Sequence, residues 1–375
     1  MSSILLLGGT GAMGVYLSRI LQDMGHRVFV TSRSPRQSSE SCTYLCGNAK
    51  DLDFVKACVQ EVKPDAIVDF MVYNTEEFRA RVDFLLSSSQ HYIFLSSYRV
   101  YNESVPLRED SKRLLDSCKD DEYLATDEYG LTKARQENIL RECGNGKNWT
   151  IIRPAITYST ARFQFGVLEA NVLCWRALNG LPVIMPPEML KKETTLTWGG
   201  DVAKMIATLV LNPTAFGEAF TTATAEHHTW RDVFTIYAKL IGAKLVECSL
   251  KDYHKITNAK WQISYDRMFN RVVDNQKVLE VTGLQQTDLM TLEQGLTLEL
   301  NQLKESSKWL TPNIAINARM DAALKLPLMQ CLSLYRSSWK DKIAYLICRC
   351  PNLQTNLFMR GVCFIVRTLK RIAHP

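Results

Sequence analysis

The chain has 375 residues, of which 46% are hydrophobic and 22% charged, and its formal net charge is +6 at pH 7. This composition is ordinary for a soluble globular protein, and the length suffices for a large α/β domain plus a second lobe. Residues 321–375 contain nine Lys or Arg and two Asp, a net charge of +7, which leaves about −1 for residues 1–320. A nearly neutral body argues against a general nucleic-acid surface, and no nucleic-acid partner is expected.

The eleven cysteines are scattered without a regular frame. Met1-Ser2-Ser3 leads directly into an apolar run, with no basic segment and no cleavage site of a secretory signal. No run of about 18 apolar residues is present, as a membrane-spanning helix would need. Neither cysteines nor histidines show a zinc-binding spacing. We therefore expect a cytoplasmic protein with reduced thiols and no bound metal.

Short apolar runs alternate with helical patterns over the first 153 residues. The predicted strands are Ile4–Leu7, Arg27–Thr31, Ala66–Met71, Tyr92–Leu95 and Thr150–Ile152. The predicted helices between them are Ala12–Met24, Leu52–Val62, Glu76–Leu86 and Thr126–Arg141. Nearly continuous apolar strands that alternate with helices are typical of a parallel sheet covered on both faces. The sequence thus predicts an α/β fold, a doubly wound parallel sheet over residues 1–154, with parts of the later chain packing on it.

From Ala155 onward the pattern is more mixed. Helices are predicted at Val167–Asn179, Asp201–Leu211 and Trp230–Ile241, and a strand at Ala243–Cys248. We expect residues 155–307 to form a smaller C-terminal substrate lobe that closes against the first domain.

Residues 308–375 are basic, and their Leu, Ile, Phe and Trp residues are spaced as on amphipathic helices. They predict a basic helical extension with two possible roles. The helices either dock on the body, or they form a surface that contacts a membrane or a partner protein, because basic amphipathic helices suit anionic lipid.

A glycine-rich turn separates the first predicted strand from the first helix. Gly9, Gly11 and Gly14 have the spacing G-x-G-x-x-G in the strand–turn–helix context of a Rossmann dinucleotide-binding site. The first glycine permits a tight turn, the second lets the backbone approach a diphosphate, and the third allows close helix packing. The helix directs its N-terminal amides at the phosphates. The cofactor-binding residues expected here are Gly8, Thr10, Gly11, Ala12, Met13 and Gly14.

The end of the second predicted strand indicates which dinucleotide is bound. An NAD site usually carries Asp or Glu there, about 20 residues past the glycines, to bind the ribose. Here Thr31 is followed by Ser32-Arg33-Ser34-Pro35-Arg36, without an acid. Guanidinium groups bind a 2′-phosphate with charge-assisted hydrogen bonds. Ser32 and Arg33 therefore favour NADP, while NAD stays open if Arg33 only stacks on adenine.

Tyr129 and Lys133 lie four residues apart, on one face of a predicted helix. The ordinary pKa of a tyrosine, about 10, is too high for base chemistry at neutral pH, but a nearby ammonium and an oxidised nicotinamide favour the phenolate. Ser97 follows a predicted strand, on the ligand-binding edge of the sheet, where its hydroxyl can bind the substrate. Ser97, Tyr129 and Lys133 are therefore the predicted catalytic residues.

In order along the chain, these motifs resemble the extended short-chain dehydrogenase/reductase family, of the NAD-dependent epimerase/dehydratase type. The resemblance covers roughly residues 3–300 and rests on the glycine-rich turn, Ser96-Ser97-x-x-Val100-Tyr101, Tyr129-x-x-x-Lys133, Arg153-Pro154 and Gly200-Asp201-Val202-Ala203.

Residue roles follow from this resemblance. It implies that Tyr129 is the acid/base, that Lys133 binds the nicotinamide ribose and that Ser97 aligns the reacting hydroxyl. It also implies that Asn48 binds the adenine and that Arg153 belongs to the cofactor site, leading into the segment that touches the nicotinamide.

The known members of the family suggest an NAD(P)-dependent enzyme acting on a nucleotide-activated sugar, as a C4 epimerase or a keto-sugar reductase, and a homodimer. Tyr98-Arg99 follows Ser97 where 4,6-dehydratases have Asp-Glu, so elimination chemistry is disfavoured. The alternative is a non-catalytic dinucleotide-binding or RNA-binding regulatory module on the same fold. The candidates for binding an anionic substrate are Arg162, Asn171 and Arg176.

Overall fold

The computed structural model describes residues 1–144, 146, 148–160, 162–305, 310–335 and 339–350. The strands of this part of the chain are β1 (Ser3–Leu7), β2 (Arg27–Ser32), β3 (Cys42–Cys46), β4 (Ala66–Asp69), β5 (His91–Leu95), β6 (Trp149–Ile152), β7 (Ile156–Tyr158), β8 (Gln164–Phe165), β9 (Leu168–Glu169), β10 (Pro182–Met185), β11 (Glu193–Thr194), β12 (Leu196–Trp198), β13 (Glu218–Phe220), β14 (His228–Thr229) and β15 (Lys244–Glu247).

The α-helices of the same residues are α1 (Gly14–Asp23), α2 (Leu52–Val62), α3 (Thr75–Arg79), α4 (Val82–Ser87), α5 (Leu114–Ser117), α6 (Asp121–Leu124), α7 (Tyr129–Cys143), α8 (Leu173–Leu178), α9 (Pro187–Leu190), α10 (Gly199–Leu209), α11 (Trp230–Ile241), α12 (Leu250–Thr257), α13 (Lys260–Gln262), α14 (Gln276–Thr282), α15 (Leu292–Glu305), α16 (Ile314–Ala323), α17 (Leu328–Leu334) and α18 (Trp339–Arg349). Short 3₁₀ turns span Tyr98–Val100, Pro213–Ala215 and Gln286–Asp288, and a π-helical turn spans Ile263–Arg267.

A seven-stranded parallel sheet forms the centre of the fold, in the order β13-β6-β5-β4-β1-β2-β3. The chain runs from β1 outward through β2 and β3, then returns to β4 and continues in the opposite direction. This reversal between β1 and β4 creates the crevice in which open α/β sheets bind ligands. The predicted doubly wound α/β fold is confirmed, and β13 joins the sheet from the later chain.

Both faces of the sheet are covered. Ile4 and Leu6 of β1 pack toward α1 and α10, while Leu5 and Leu7 pack toward α2 on the other face. All four are fully buried, which explains the uninterrupted apolar run of this strand.

Two helix predictions are wrong. The predicted helix Glu76–Leu86 is divided into α3 and α4, because the chain leaves helical geometry at Arg81, whose side chain donates to the Glu77 carbonyl over 2.7 Å. In place of a helix from Val167 to Asn179, Gly166 adopts a φ of +59° and makes the β8–β9 hairpin, and α8 begins only at Leu173.

The described part of the C-terminal extension packs against α8. Tyr335 and Tyr345 share an apolar cluster with Trp175. Arg176 Nη1 lies 2.7 Å from Asp321 Oδ1, and both side chains are fully buried. No helix in the described ranges is long and apolar enough to cross a membrane. Residues 351–375, on which the predicted membrane or partner contact partly depends, lie outside the described residues.

We expect Asp321→Ala to lower the free energy of unfolding by about 3–5 kcal/mol, because it leaves the buried Arg176 guanidinium without its counter-ion. Urea unfolding measures the loss, and Arg176→Met combined with Asp321→Leu should recover most of it. Glu247→Ala, which removes one partner of the exposed pair with Arg231, is the matched control and should change stability by less than about 1 kcal/mol. Equal effects of the two single substitutions would contradict the assignment.

Candidate active site

The glycine-rich turn joins the carboxyl end of β1 to α1. Gly8 adopts a φ of +72°, and its N–H donates to the Thr31 hydroxyl over 2.8 Å. A Cβ on Gly14 would lie 2.4 Å from the Gly9 carbonyl oxygen, so a glycine is required where α1 begins. The left-handed residue of the turn is therefore Gly8, whereas the sequence spacing assigns the tight turn to Gly9.

Open space borders the middle of this turn. A Cβ on Gly11 would meet no heavy atom within 4 Å. Among the described residues, no side chain caps the first turn of α1. Helix N-terminal amides without a capping partner attract anions. The loop formed by Thr10, Gly11, Ala12 and Met13 therefore fits the diphosphate of a dinucleotide.

The predicted adenosine end lies beyond the carboxyl end of β2. Ser32 is buried, and its hydroxyl donates to a carbonyl oxygen two residues further on, over 2.8 Å. Arg33 is exposed, where its charge can meet a phosphate. The Asn48 side-chain oxygen accepts the Lys50 N–H over 3.1 Å, so this oxygen already stabilises a local turn.

The three predicted catalytic residues lie together. Ser97 follows β5, and its hydroxyl lies beside the phenol of Tyr129, the first residue of α7. Lys133 is one helical turn further on, with its Nζ 6.0 Å from the centroid of the Tyr129 ring and 4.6 Å from that of Phe94. The hydroxyl, the phenol and the ammonium therefore converge at the carboxyl end of the sheet.

Glu137, on α7, binds residues that directly follow β5 and β6. Its carboxylate accepts the Ser96 hydroxyl over 2.7 Å and binds Arg153 through Nε at 2.8 Å and Nη2 at 2.7 Å. Burial raises the pKa of this carboxyl, but Arg153 and Arg141 outweigh burial and hold the pKa at about 2. The Arg153 guanidinium is thus engaged with Glu137 and positions the helix that carries Tyr129.

Ser97, Tyr129 and Lys133 line a cavity of about 430 Å³. Met13 of the glycine-rich loop lines the same cavity, which places the loop beside the three polar groups. Five polar residues from later in the chain also line it, namely Arg162, Gln164, Glu169, Gln262 and Arg267. Residues from the sheet and from the chain after position 155 therefore line one concave cavity, as a small-molecule site requires.

The two ionisable groups of the predicted pair respond differently to their surroundings. Burial raises the pKa of Tyr129, while Arg162, Arg99 and the Ser97 hydroxyl act against that rise. Burial lowers the pKa of Lys133 to about 8, against the opposing effect of Asp69. Two arginines therefore act on the phenol, namely Arg162, a predicted substrate-binding candidate, and Arg99, which the sequence pattern does not identify.

The structure separates the three substrate candidates. Arg162 lines the cavity, with its Nη2 3.8 Å from Glu169 Oε1. The Asn171 carbonyl accepts the Asn313 N–H over 3.1 Å, at the base of the C-terminal extension. Arg176 is fully buried in its pair with Asp321. Of these residues, Arg162 is the one positioned to meet a substrate in the cavity.

Sequence reasoning missed two arginines that line the cavity. Arg99 lies two residues after Ser97, within the Ser96-Ser97-x-x-Val100-Tyr101 motif. Its closeness to Ser97 in the sequence could have indicated that it lies near the site. Arg267 comes from the π-helical turn of the second lobe, where no pattern marks it. Among the described residues, no group of three or more His, Cys, Asp or Glu is arranged to hold a metal ion.

Comparisons with known proteins agree with this geometry. Residues 4–223 match the model of the NAD dependent epimerase/dehydratase family. Chloroplast stem-loop binding protein of 41 kDa b of Arabidopsis thaliana is 31% identical over 176 residues, which cover 43% of this chain and 43% of that protein. The chain therefore matches less than half the length of this curated relative.

Solved structures share the fold at low identity. The UDP-glucose 4-epimerase of Thermus thermophilus, solved with NAD, is 18% identical with a TM-score of 0.60, covering 80% of this chain and 99% of that one. The dTDP-glucose 4,6-dehydratase of Bacillus anthracis, also solved with NAD, is 15% identical with a TM-score of 0.64, covering 83% and 100%.

The buried Lys133 makes stability depend on pH. Its folded pKa of about 8 lies below the ordinary value of 10.5, so the unfolded state binds more protons between these values and stability rises with pH there. Lys133→Met removes the buried charge and should raise the free energy of unfolding below pH 8 by up to about 3 kcal/mol, with the gain shrinking toward pH 10.

Urea unfolding near pH 7 and pH 10 measures this difference. Lys56→Met, at a half-exposed lysine of α2, is the control and should behave alike at both pH values. A Lys133→Met effect that does not change with pH would show that the ammonium carries no burial penalty.

Proposed function

This chain belongs to the NAD-dependent epimerase/dehydratase family, and from that premise we propose that it transfers hydride between a nicotinamide dinucleotide and a nucleotide-activated sugar. The reaction would be a C4 epimerisation or the reduction of a keto-sugar. One observation carries the proposal: Met13 of the glycine-rich loop lines the same cavity as Ser97, Tyr129 and Lys133. A dinucleotide held by that loop can therefore present its ring to the three polar groups.

Each residue has a distinct task in this proposal. Tyr129 moves the proton of the reacting hydroxyl, and Ser97 holds that hydroxyl against the phenol. Lys133 binds the ribose next to the reactive ring. Arg162, on the second-lobe side of the cavity, binds an anionic group of the substrate. The bound dinucleotide supplies the hydride acceptor or donor.

The direction of the reaction distinguishes the two candidate activities. An epimerase returns the hydride to the sugar and leaves the cofactor unchanged, while a reductase consumes NADPH. The loss of an acidic ribose ligand after β2 favours net reduction, because NADPH is the usual reducing pool. With a panel of UDP-, GDP-, CDP- and dTDP-sugars, absorbance of the reduced nicotinamide detects net reduction, and chromatography of the sugar products detects epimerisation without an absorbance change. The nucleotide sugar that reacts identifies the nucleotide.

Tyr129→Phe should lower turnover of the active sugar nucleotide by at least about 100-fold, because the reacting hydroxyl loses the phenol that exchanges its proton. Its affinity for the dinucleotide should stay within about twofold of the parent, measured by calorimetry. Tyr335→Phe, in the C-terminal extension, is the matched control and should turn over normally. A Tyr129→Phe enzyme with parental turnover would refute the assigned role.

The arginine after β2 should select the phosphorylated cofactor. We expect Arg33→Ala to weaken NADPH binding about tenfold, through loss of a charge-assisted hydrogen bond, and to leave NADH binding unchanged. Calorimetric titration measures both affinities, with Arg231→Ala in the second lobe as the control. Equal weakening for the two cofactors would show that Arg33 only stacks on adenine.

A second candidate is a non-catalytic dinucleotide-binding or RNA-binding regulatory module. The name of the curated relative, a stem-loop binding protein, favours it. The nearly neutral charge of residues 1–320 gives it little electrostatic support, because backbone phosphates are bound chiefly by Lys and Arg. Titration with a stem-loop RNA at two salt concentrations tests it: tight, salt-dependent binding together with no sugar-nucleotide turnover would replace our first proposal.

A further inference from the structure

A cation outside the Tyr-x-x-x-Lys pattern lies against the catalytic phenol. Arg99 belongs to the 3₁₀ turn that follows Ser97, and its Cζ is 5.2 Å from the centroid of the Tyr129 ring. Its side chain is only 14% exposed. A guanidinium over an aromatic face is attracted to the ring, and the attraction grows when water is excluded.

Two carboxylates hold this guanidinium in place. Its Nη2 donates to Glu128, the residue just before Tyr129. Its Nε lies 3.3 Å from Asp266 Oδ2, in the π-helical turn of the second lobe. Asp266 is itself buried and also pairs with Arg267 and Arg271. The Arg99 charge is therefore fixed from both lobes.

A glycine next to Tyr129 allows the backbone of Arg99 to pack closely on α7. A Cβ on Gly130 would lie 2.6 Å from the Arg99 carbonyl oxygen. The glycine that follows Tyr129 therefore lets the 3₁₀ turn lie directly on the first turn of α7. A Cβ at position 130 would force the backbone of Arg99 away from α7.

The charged and hydrogen-bonding groups around Tyr129 come from several elements. Glu128 and Lys133 belong to α7 or its cap, Ser97 and Arg99 to the segment after β5, and Arg162 to the segment after β7. Asp266 pairs with Arg99, and Arg267 lines the same cavity as Tyr129.

Two of these cations act against the rise in the phenol pKa. Arg162 has the larger effect on the pKa of Tyr129 and Arg99 the next, while Glu128 acts in the opposite direction. Arg162 is 43% exposed and lies near Glu169, so solvent screens its charge. Arg99 is nearly buried, and its charge acts through the protein interior.

We propose that Arg99 is a positioning residue of the hydride-transfer site, which holds a fixed positive charge against Tyr129 and thereby favours the phenolate that takes up the substrate proton. This inference rests on the proposed function of Tyr129 as the acid/base. It assigns the electrostatic part of the activation to Arg99, fixed by Glu128 and Asp266, and leaves Lys133 to bind the ribose.

Titration of Tyr129 itself tests the proposal without any substrate. Fluorotyrosine is incorporated throughout the full-length protein, and ¹⁹F NMR follows each ring with pH. Ring fluorines make the phenol more acidic, which lowers the pH range over which the titration is followed. The variant Tyr129→Phe identifies the relevant signal among the 14 tyrosines.

We expect Arg99→Met to raise the titration midpoint of Tyr129 by about one pH unit, because an opposite charge at this distance is lost. Arg99→Lys keeps the charge and should restore part of the shift. Arg108→Met, which removes an exposed arginine paired with Asp274, is the control and should leave the midpoint unchanged. A parental midpoint in Arg99→Met, or equal midpoints in the Met and Lys variants, overturns the proposal.

Glu128→Gln gives an independent test with the opposite sign, and it serves also if Arg99→Met does not fold. It removes a negative charge beside the phenol and keeps an oxygen that can accept from Arg99, so the midpoint should fall. Adding Arg99→Met to Glu128→Gln should then raise the midpoint again, and equal midpoints in Glu128→Gln and this double variant overturn the proposal.

The outcomes separate this inference from the proposed function. If Arg99→Met does not change the titration midpoint of Tyr129 but Tyr129→Phe abolishes turnover, the role of Arg99 is refuted and the proposed function stands. Parental turnover of Tyr129→Phe refutes the function, and the positioning role of Arg99 fails with it.

Discussion

The buried carboxylate of Glu137 is the interaction on which the geometry of the site depends. It binds the Ser96 hydroxyl at the end of β5 and the Arg153 guanidinium at the end of β6. Lys133 and Tyr129 lie one and two turns before Glu137 on the same helix, and Ser97 follows Ser96 in the chain. Holding Glu137 therefore brings the hydroxyl, the phenol and the ammonium together. A buried carboxylate is tolerated here because it is paired with arginine and fully hydrogen-bonded.

Two cations beside Tyr129, namely Lys133 and Arg99, differ in how firmly they hold their charge. The Lys133 amine lies against Phe94, in a buried place that lowers its pKa to about 8. Arg99 keeps its charge at any working pH, since a guanidinium does not lose its proton in proteins. A phenol that burial would keep protonated thus has one permanent cation against its ring and one adjustable ammonium a helical turn away. Asp266, from the π-helical turn late in the chain, contributes to this arrangement through its ion pair with Arg99.

Local patterns were enough to predict five of the seven strands of the central sheet and to place Tyr129 and Lys133 on one helix, whereas β3 and β13 were not predicted. The strand Ile4–Leu7 is apolar throughout because both faces of the sheet are covered, and the spacing from Tyr129 to Lys133 is set within a single helix. Local patterns could not predict contacts between segments that are distant in the sequence. The buried pairing of Arg176 with Asp321 and the ion pair of Arg99 with Asp266 join parts of the chain with no shared motif. The hairpin at Gly166 was missed because its flanking apolar residues also fit a helical pattern.

The central claim is that a dinucleotide held by the glycine-rich loop presents its nicotinamide to Ser97, Tyr129 and Lys133. A crystal structure of the full chain grown with NADP⁺ measures this most directly. The account predicts the diphosphate beside Gly11 and the nicotinamide ring within the 430 Å³ cavity, facing the Tyr129 phenol. A dinucleotide bound elsewhere, or a nicotinamide ring pointing away from Tyr129, would contradict it.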